Sequence, residues 1–455
     1  MTEQVQVDFG ELEKLLWNSV LGTFQQAMVE ILSMIDDYLM AKRDLGRYAY
    51  KEKKERTIVT MVGAITISRR YYWDRDEKEW ICLLDEVLGL VKGIQISDTL
   101  KELVVLWATK GPSYRDVSNR LEELFGVPVL SHEKVRQIVV ESSEVIKKDL
   151  HMPEVKKKAR ILFIEADGFW TGVQGEPRRK KKETYMVVVH EGWEPRKGGG
   201  YRLINPMYIT SEELETGEDI WDVVRWKIAE KYENIDEIQI VINGDFAPWI
   251  RAGAEYFKNA LYQYDRFHLK RELRELFSNQ KELCQRAFSH VDNNDTEGLF
   301  KMLDEATQNQ LEAAKLKKRL QKHQDSIIDY RVRLRSKGME ISSSWRAMGA
   351  AESNVDRFKL RTAKRGRAWS KKGLRAIINM LCMLYEGVLK DALTKVNDDP
   401  FLAETQEMIE VSASQVAEKV GTGVLNVRKG GFPAINMGTE GYSKLFRSIL
   451  KEQTV

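Results

Sequence analysis

Two aspartates stand where apolar, strand-like runs give out. ILFIEADGFW, residues 161–170, ends its apolar stretch in Asp167 followed by Gly168, and IQIVINGDFAPWI repeats the design with Gly244 and Asp245. An aspartate before or after a glycine at a strand end is often only a turn former. Two strands that each deliver a carboxylate, with a third acid downstream, can do more: they can hold divalent cations against a phosphodiester. Glu165 precedes Asp167 by two residues and shares its strand face. It is an auxiliary ligand or the partner of a nearby cation. The third acid has to come from helical territory. Glu352 follows Gly349, Ala350 and Ala351, small residues that let a helix or loop approach a sheet closely; Glu312 and Glu340 are other acids of that region. Behind Glu352 come Lys359, Arg361, Lys364, Arg365, Arg367, Lys371, Lys372 and Arg375, with no acid from Phe358 through Arg375. A carboxylate followed by cations places metal ions beside a phosphate backbone.

The elements that must position these residues follow from periodicity. ILFIEAD, TYMVVVHE and YRLINPMYI read as three consecutive strands, followed by a helix over DIWDVVRWKIAEKY. The strand IQIVINGD, a helix over PWIRAGAEYF and a short strand ALYQYD complete the series. Hairpin-connected strands followed by crossover units give a mixed sheet flanked by helices. The order matches the α/β, RNase H-like architecture, in which the first strand is central and the fourth lies beside it. Asp167 and Asp245 then project toward one site. After YDRFHLKRELRELF the chain is charged and helix-forming to about Tyr330, with little strand character.

Upstream, residues 9–42 carry Leu12, Leu15, Leu16, Val20, Phe24, Met28, Ile31 and Ile35 near one helical stripe, a core or dimer face. TIVTMVGAITISRRYYWD alternates β-branched residues around Gly63, which predicts two antiparallel strands and a tight turn. Its end mixes Arg69 and Arg70 with Tyr71, Tyr72 and Trp73, suited to nucleic-acid backbone and base stacking, or to a plain exposed strand end. Residues 97–150 read as consecutive helices broken by Gly111 and Pro112, then by Gly126 and Pro128, with Ser113 and Ser131 as caps. That is the rhythm of a helix-turn-helix, with Lys134 and Arg136 on the first turns of the candidate recognition helix; generic three-helix packing shares it. Further basic runs are VKKKAR before Ile161, KLKKRLQK from Lys315, and Arg178, Arg179 and Lys180 continuing into Lys181 and Lys182. Each is a phosphate-binding patch or a solvated face.

Composition narrows the class. The 455 residues are 31% charged and 43% hydrophobic, enough for about two to four folded domains and no sign of disorder. The net charge of +3 does not by itself announce a nucleic-acid partner; the clustering does. Cys82, Cys284 and Cys382 lie far apart with no metal-ligand or framework spacing, which argues against a disulfide scaffold and a structural zinc site. The N-terminus lacks a signal-peptide pattern and no apolar run reaches membrane-spanning length, so a cytoplasmic, nucleoid-associated protein is expected.

With these motifs in order the chain resembles the DDE transposases of bacterial insertion sequences, in particular the ISLre-type family, related to the mutator-like and hAT groups. The residues that carry the resemblance are Asp167 with Gly168, the NGDFAPWI segment around Asp245, YDRFHL, and AES with Glu352 and its basic arm. YDRFHL places Asp265 and His268 two residues apart, similar to the C/D(2)H signature of those groups. The resemblance implies a catalytic triad of Asp167, Asp245 and Glu352 holding two Mg2+ ions, replaceable by Mn2+, with His268 positioning the scissile phosphate or resting as a core histidine. It implies hydrolysis at element ends, then strand transfer into target duplex DNA, and a homodimer or higher oligomer that pairs two ends. It implies too that the helix-forming stretch after YDRFHL is an all-helical insertion before the third acid. The segments expected are an N-terminal helix and hairpin (1–95), a helix-turn-helix-like region (96–155), the first part of the catalytic core (156–269), the helical insertion (270–345), the second part with Glu352 and the basic arm (346–398), and a tail (399–455). Trp345 and Trp369 stack on extruded bases or pack in helices. An RNase H-like nuclease or resolvase without strand transfer, and a silent DNA-binding derivative, are the alternatives.

Overall fold

The structure, a computed structural model, describes residues 8–90, 96–149, 155–175, 181–278, 280–304, 310–364 and 366–395. The basic residues Arg178, Arg179, Lys180 and Arg365, and the tail from residue 399, lie outside the described residues. No described helix is long and apolar enough to cross a membrane. The chain divides into two compact units: one holds the described residues up to Leu103 with Ser118–Leu130, the other Val104–Val117 and the described residues from Ser131 onward.

The first unit opens with helix α1 (Phe9–Lys42), capped by Asp8, whose carboxylate accepts from the Gly10 amide at 2.8 Å. Strands β1 (Tyr48–Thr60) and β2 (Gly63–Asp74) form an antiparallel hairpin, extended by β3 (Glu79–Ile81), and helix α2 (Leu83–Val87) follows. Only the second half of the α1 stripe is packed: Met28, Ile31 and Ile35 join Ile58, Ile65, Ile67 and Leu84 in the core, while Leu12, Leu15, Leu16, Val20 and Phe24 are exposed. Charge is neutralised within the unit. Arg70 bonds Asp36 at 2.6 Å and Asp37 at 2.7 Å, and Arg69 lies 3.0 Å from Asp85.

Helices α3 (Asp98–Lys110), α4 (Tyr114–Phe125) and α5 (His132–Asp149) come next in the chain, at the positions the turn signals mark. The second unit is built on a mixed sheet. Its strands β4 (Ile161–Val173), β5 (Lys181–His190), β8 (Met207–Thr210), β9 (Gln239–Gly244) and β10 (Ala260–Tyr264) run in the order β10-β9-β4-β5-β8. The short strands β6 (Trp193–Pro195) and β7 (Tyr201–Leu203) pair only with each other. The run YRLINPMYI is thus two strands rather than one, parted at Asn205, whose φ is +48°, and Pro206. β5 is antiparallel to β4, and β9 is parallel to it. The first strand is therefore central and the fourth beside it, as expected.

Both faces of β4 are covered. Leu162, Ile164 and Ala166 pack against Trp221, Val224 and Ile228 of helix α6 (Ile220–Lys231), whereas Ile161 and Phe163 meet Tyr330, Leu334 and Met348. Covering on both faces explains why β4 and β9 read as continuous apolar runs. After helix α7 (Pro248–Ala252) and β10 the chain turns helical: α8 (Arg266–Leu276), α9 (Lys281–Asp292), α10 (Thr296–Asp304), α11 (Gln310–Lys322), α12 (Gln324–Ile327) and α13 (Tyr330–Ser336). Leu269, Leu273, Ala287, Leu299, Leu316 and Leu320 give this insertion its own core. Helix α14 (Ala350–Thr362) then packs on β4, a short β11 (Ala368–Trp369) pairs with β4 in parallel, and α15 (Lys371–Glu386) and α16 (Leu389–Lys395) end the described chain.

Glu386, at the end of α15, accepts from the Tyr208 amide at 2.6 Å and sits near Lys227, Lys231 and Glu213. Burial outweighs the lysines and pushes its carboxyl from 4.5 up to about 7. The folded state therefore holds a proton that the unfolded state has released between those values. Its contribution is complete below pH 4.5 and lost as pH rises through 7, on the order of 3 kcal/mol from this group. Urea denaturation across pH 5–8 should show that slope flattened in Glu386→Gln; an unchanged slope contradicts it.

Candidate metal centre

The alternation of β4 sends Phe163, Glu165 and Asp167 to the face covered by α14 and the segment before it. β9 runs beside β4 only as far as Glu165, and β11 joins only from Gly172, so Asp167 lies in the gap between two neighbours. Two glycines permit this. A Cβ at Gly244 would stand 2.8 Å from the Ala166 carbonyl oxygen, and one at Gly172 would stand 2.6 Å from the Arg367 carbonyl oxygen. The first close approach brings Asp245 beside the middle of β4, which runs on past Asp167 to Val173, so Asp167 does not stand at a strand end as its sequence suggests. Its Oδ1 accepts from the Ala247 amide at 2.8 Å.

Helix α8 begins at the neighbouring strand end. Asp265 caps it, accepting from the His268 amide at 3.0 Å, and the same Oδ1 lies 3.2 Å from His268 Nδ1. Its other oxygen accepts from Asn243 Nδ2 at 2.7 Å. With Nδ1 held by Asp265, Nε2 is the ring nitrogen left to face the site. A carboxylate behind an imidazole is the usual way a metal-ligating histidine is oriented. Glu352 arrives on the first turn of α14.

Asp167, His268 and Glu352 each offer one ligand atom, and the three atoms lie within 4.8 Å of one another. Asp245 is outside that group, but its charge reaches Asp167. Burial raises the Asp167 carboxyl to about 6; the Gly168 amide and His268 oppose the rise, and Asp245 and Glu352 add to it. His268 is raised, first by its bond to Asp265 and also by the charge of Asp167. Asp265 is held below its usual range although burial opposes this, because His268 and Asn243 donate to it. Acids crowded at a half-buried point suit a cation. Carboxylate oxygens with one imidazole fit Mg2+ or Mn2+, the nitrogen being better suited to Mn2+.

The remaining expected residues are scattered by the fold. Glu165 is fully buried and directs one oxygen to the amides of Gly349 and Ala351, at 3.1 and 2.9 Å. Arg69 and Arg70, expected to meet DNA, are committed to the carboxylates of their own unit. Arg361, expected in the cationic arm, is buried: it donates to the Ala108 carbonyl at 3.0 Å and lies 5.0 Å from the rings of Tyr114 and Trp369. Its burial lowers its pKa to about 10. Arg367 donates to the Leu360 and Arg361 carbonyls at the end of α14. Lys134 and Lys364 are exposed and Lys359 half-buried, while Arg136 is paired with Glu133 at 2.7 Å. Trp369 is a packing residue that donates to the Thr362 carbonyl at 2.8 Å, and Trp345 packs on Phe163. Glu312 bonds Lys315, and Glu340 is exposed. Asn243 and His190 were not expected. Each is a polar residue inside or at the end of a buried strand, and that is the signal that could have found them.

A family model described as "Uncharacterised protein family (UPF0236)" matches residues 2–398. A UPF0236 protein of Caldanaerobacter subterraneus subsp. tengcongensis is 25% identical over 369 residues, covering 78% of this chain and 73% of the relative. The UPF0236 protein in the vanSb 3′ region of Streptococcus gallolyticus is 24% identical over 423 residues, covering 90% of this chain and 89% of the relative. Among solved structures the chain is similar to one in the Drosophila P element transposase strand transfer complex, at 9% identity and a TM-score of 0.26, over 79% of this chain and 92% of that one.

Proposed function

The chain belongs to the uncharacterised protein family UPF0236, and from that footing we propose that it is a metal-dependent DNA transposase with an RNase H-like catalytic core. The observation that carries the reading is the meeting of Asp167, Glu352 and His268, from a central strand, a late helix and the start of α8, with Asp245 beside them. Asp167, Asp245 and Glu352 would hold two Mg2+ or Mn2+ ions, with His268 oriented by Asp265 at their edge. Bound there, the ions would supply an activated water or 3′-hydroxyl and stabilisation of the leaving oxygen. The protein's own part is to converge negative charge where water is partly excluded and to keep the imidazole in one orientation. Exposed lysines such as Lys134 and Lys364 are suited to the phosphate backbone. The partner is duplex DNA, first the ends of the mobile element and then a target, in the bacterial cytoplasm. Pairing two ends calls for at least two copies of the chain.

The test is a cleavage and joining assay with Mg2+ and with Mn2+ on duplex DNA carrying the sequences that flank the gene, searched first for inverted repeats. Cleavage at the repeat ends followed by joined products supports a transposase. Cleavage without joining makes the protein a nuclease or resolvase. Binding without either reaction makes it a silent DNA-binding derivative.

A further inference from the structure

We propose that Glu165 is a positioning residue that sets the metal centre from outside it, by fixing helix α14, and with it Glu352, to the strand that carries Asp167. The proposal rests on the metal-centre reading above. The first amides of a helix have no partner within the helix and need an acceptor from elsewhere. α14 has none of its own, because Gly349 stands at the N-cap position and offers no side chain. Glu165 Oε2 fills that role across 184 and 186 residues of chain, accepting from Gly349 N and Ala351 N. A carboxylate there also meets the positive end of the helix dipole, in a fully buried place where the interaction is little screened.

The other oxygen, Oε1, faces His190 Nε2 at 3.6 Å; neither atom has a hydrogen-bond partner among the described residues, and both side chains are fully buried. His190 Nδ1 lies 3.1 Å from the Gly192 carbonyl oxygen, and its ring is held between Phe163 and Trp193 at 5.5 and 4.8 Å. Glu165 is thus bonded to α14 through Oε2, while Oε1 faces a fixed imidazole. Ala351 precedes Glu352 and Glu165 lies two residues before Asp167, so one carboxylate ties the elements bearing two of the ligands.

Two substitutions separate geometry from charge. Glu165→Gln removes the charge but keeps the bonds to the helix: its amide oxygen accepts from Gly349 and Ala351, and its N–H2 takes the place of Oε1 opposite His190 Nε2. Glu165→Asp keeps the charge and withdraws it by about 1.5 Å, one carbon–carbon bond. Mn2+ binding to the full chain, followed by electron paramagnetic resonance, is expected near wild type for Glu165→Gln and weakened about 10- to 100-fold for Glu165→Asp. Amide hydrogen exchange at residues 349–353, without metal, should be unchanged in the first and faster in the second. Loss of Mn2+ binding in Glu165→Gln comparable to that in Asp167→Asn overturns the proposal and makes Glu165 a ligand; unchanged exchange and binding in Glu165→Asp also overturns it. Should Glu165→Asp fail to fold, the glutamine variant alone decides by the same criterion. If wild type binds no Mn2+, the metal reading fails, and the exchange data still decide whether Glu165 holds α14.

Discussion

If the proposed activity holds, Asp167→Asn and Glu352→Gln are each expected to lower metal-dependent DNA cleavage by about 10³-fold or more, with DNA binding retained. Metal ligation at a phosphodiester is worth several kcal/mol of transition-state stabilisation, and each 1.4 kcal/mol is tenfold in rate. The same two changes should leave the metal-free fold intact or firmer. Asp167 is half-buried beside Asp245 and Glu352, and its burial already disfavours the charged form. Removing one of these charges relieves repulsion that the Gly168 amide and His268 offset only in part. Thermal melting with EDTA and with Mn2+ reads both effects: wild type gains stability from the metal, and the variants gain little. Glu340→Gln, at an exposed position, is the matched control and should cleave like wild type. Equal loss in the control, or none in Glu352→Gln, would move the third ligand elsewhere.

His268 and its partner provide the second large effect. Asp265→Ala should weaken Mn2+ binding about 10- to 100-fold, as is usual when the group orienting a metal-bound histidine is lost. It should also cost about 1–3 kcal/mol in urea denaturation, because Asp265 caps α8 and its loss leaves Asn243 Nδ2 buried without an acceptor. His268→Ala is expected to show a comparable loss of affinity, with the Asp265 cap of α8 intact. An Asp265→Ala protein that binds Mn2+ like wild type would show that the imidazole needs no orientation, or takes no part in the centre.

What the sequence made legible follows from how local each signal is. β4 and β9 are readable because strands covered on both faces are mostly apolar, and Asp167 and Asp245 stand out against that background, although Asp167 lies inside β4 rather than at its end. Asp265 and His268 were readable because a cap and the residue it serves lie within one turn. The first half of β1 was not: Lys51–Glu55 is exposed and charged, so only Thr57 onward shows alternation. The cationic arm was legible as composition and not as direction, since nothing local says that Arg361 turns inward onto Tyr114 and Trp369 while Lys364 stays out. The role of Glu165 is the extreme case. Capping motifs are recognised within a few residues, and this cap comes from a strand 184 residues earlier.

That separation also fixes when the centre can exist during synthesis. A ribosome that has released the chain as far as the helical insertion has delivered β4, β5, β8, β9 and β10, both aspartates and His268, but not Glu352. Contacts so distant in sequence pay their loop-closure entropy late. Chains interrupted before residue 352 would carry the sheet without the full set of acids. Completion of the acidic cluster is therefore tied to translation of α14, and chains interrupted before it lack Glu352.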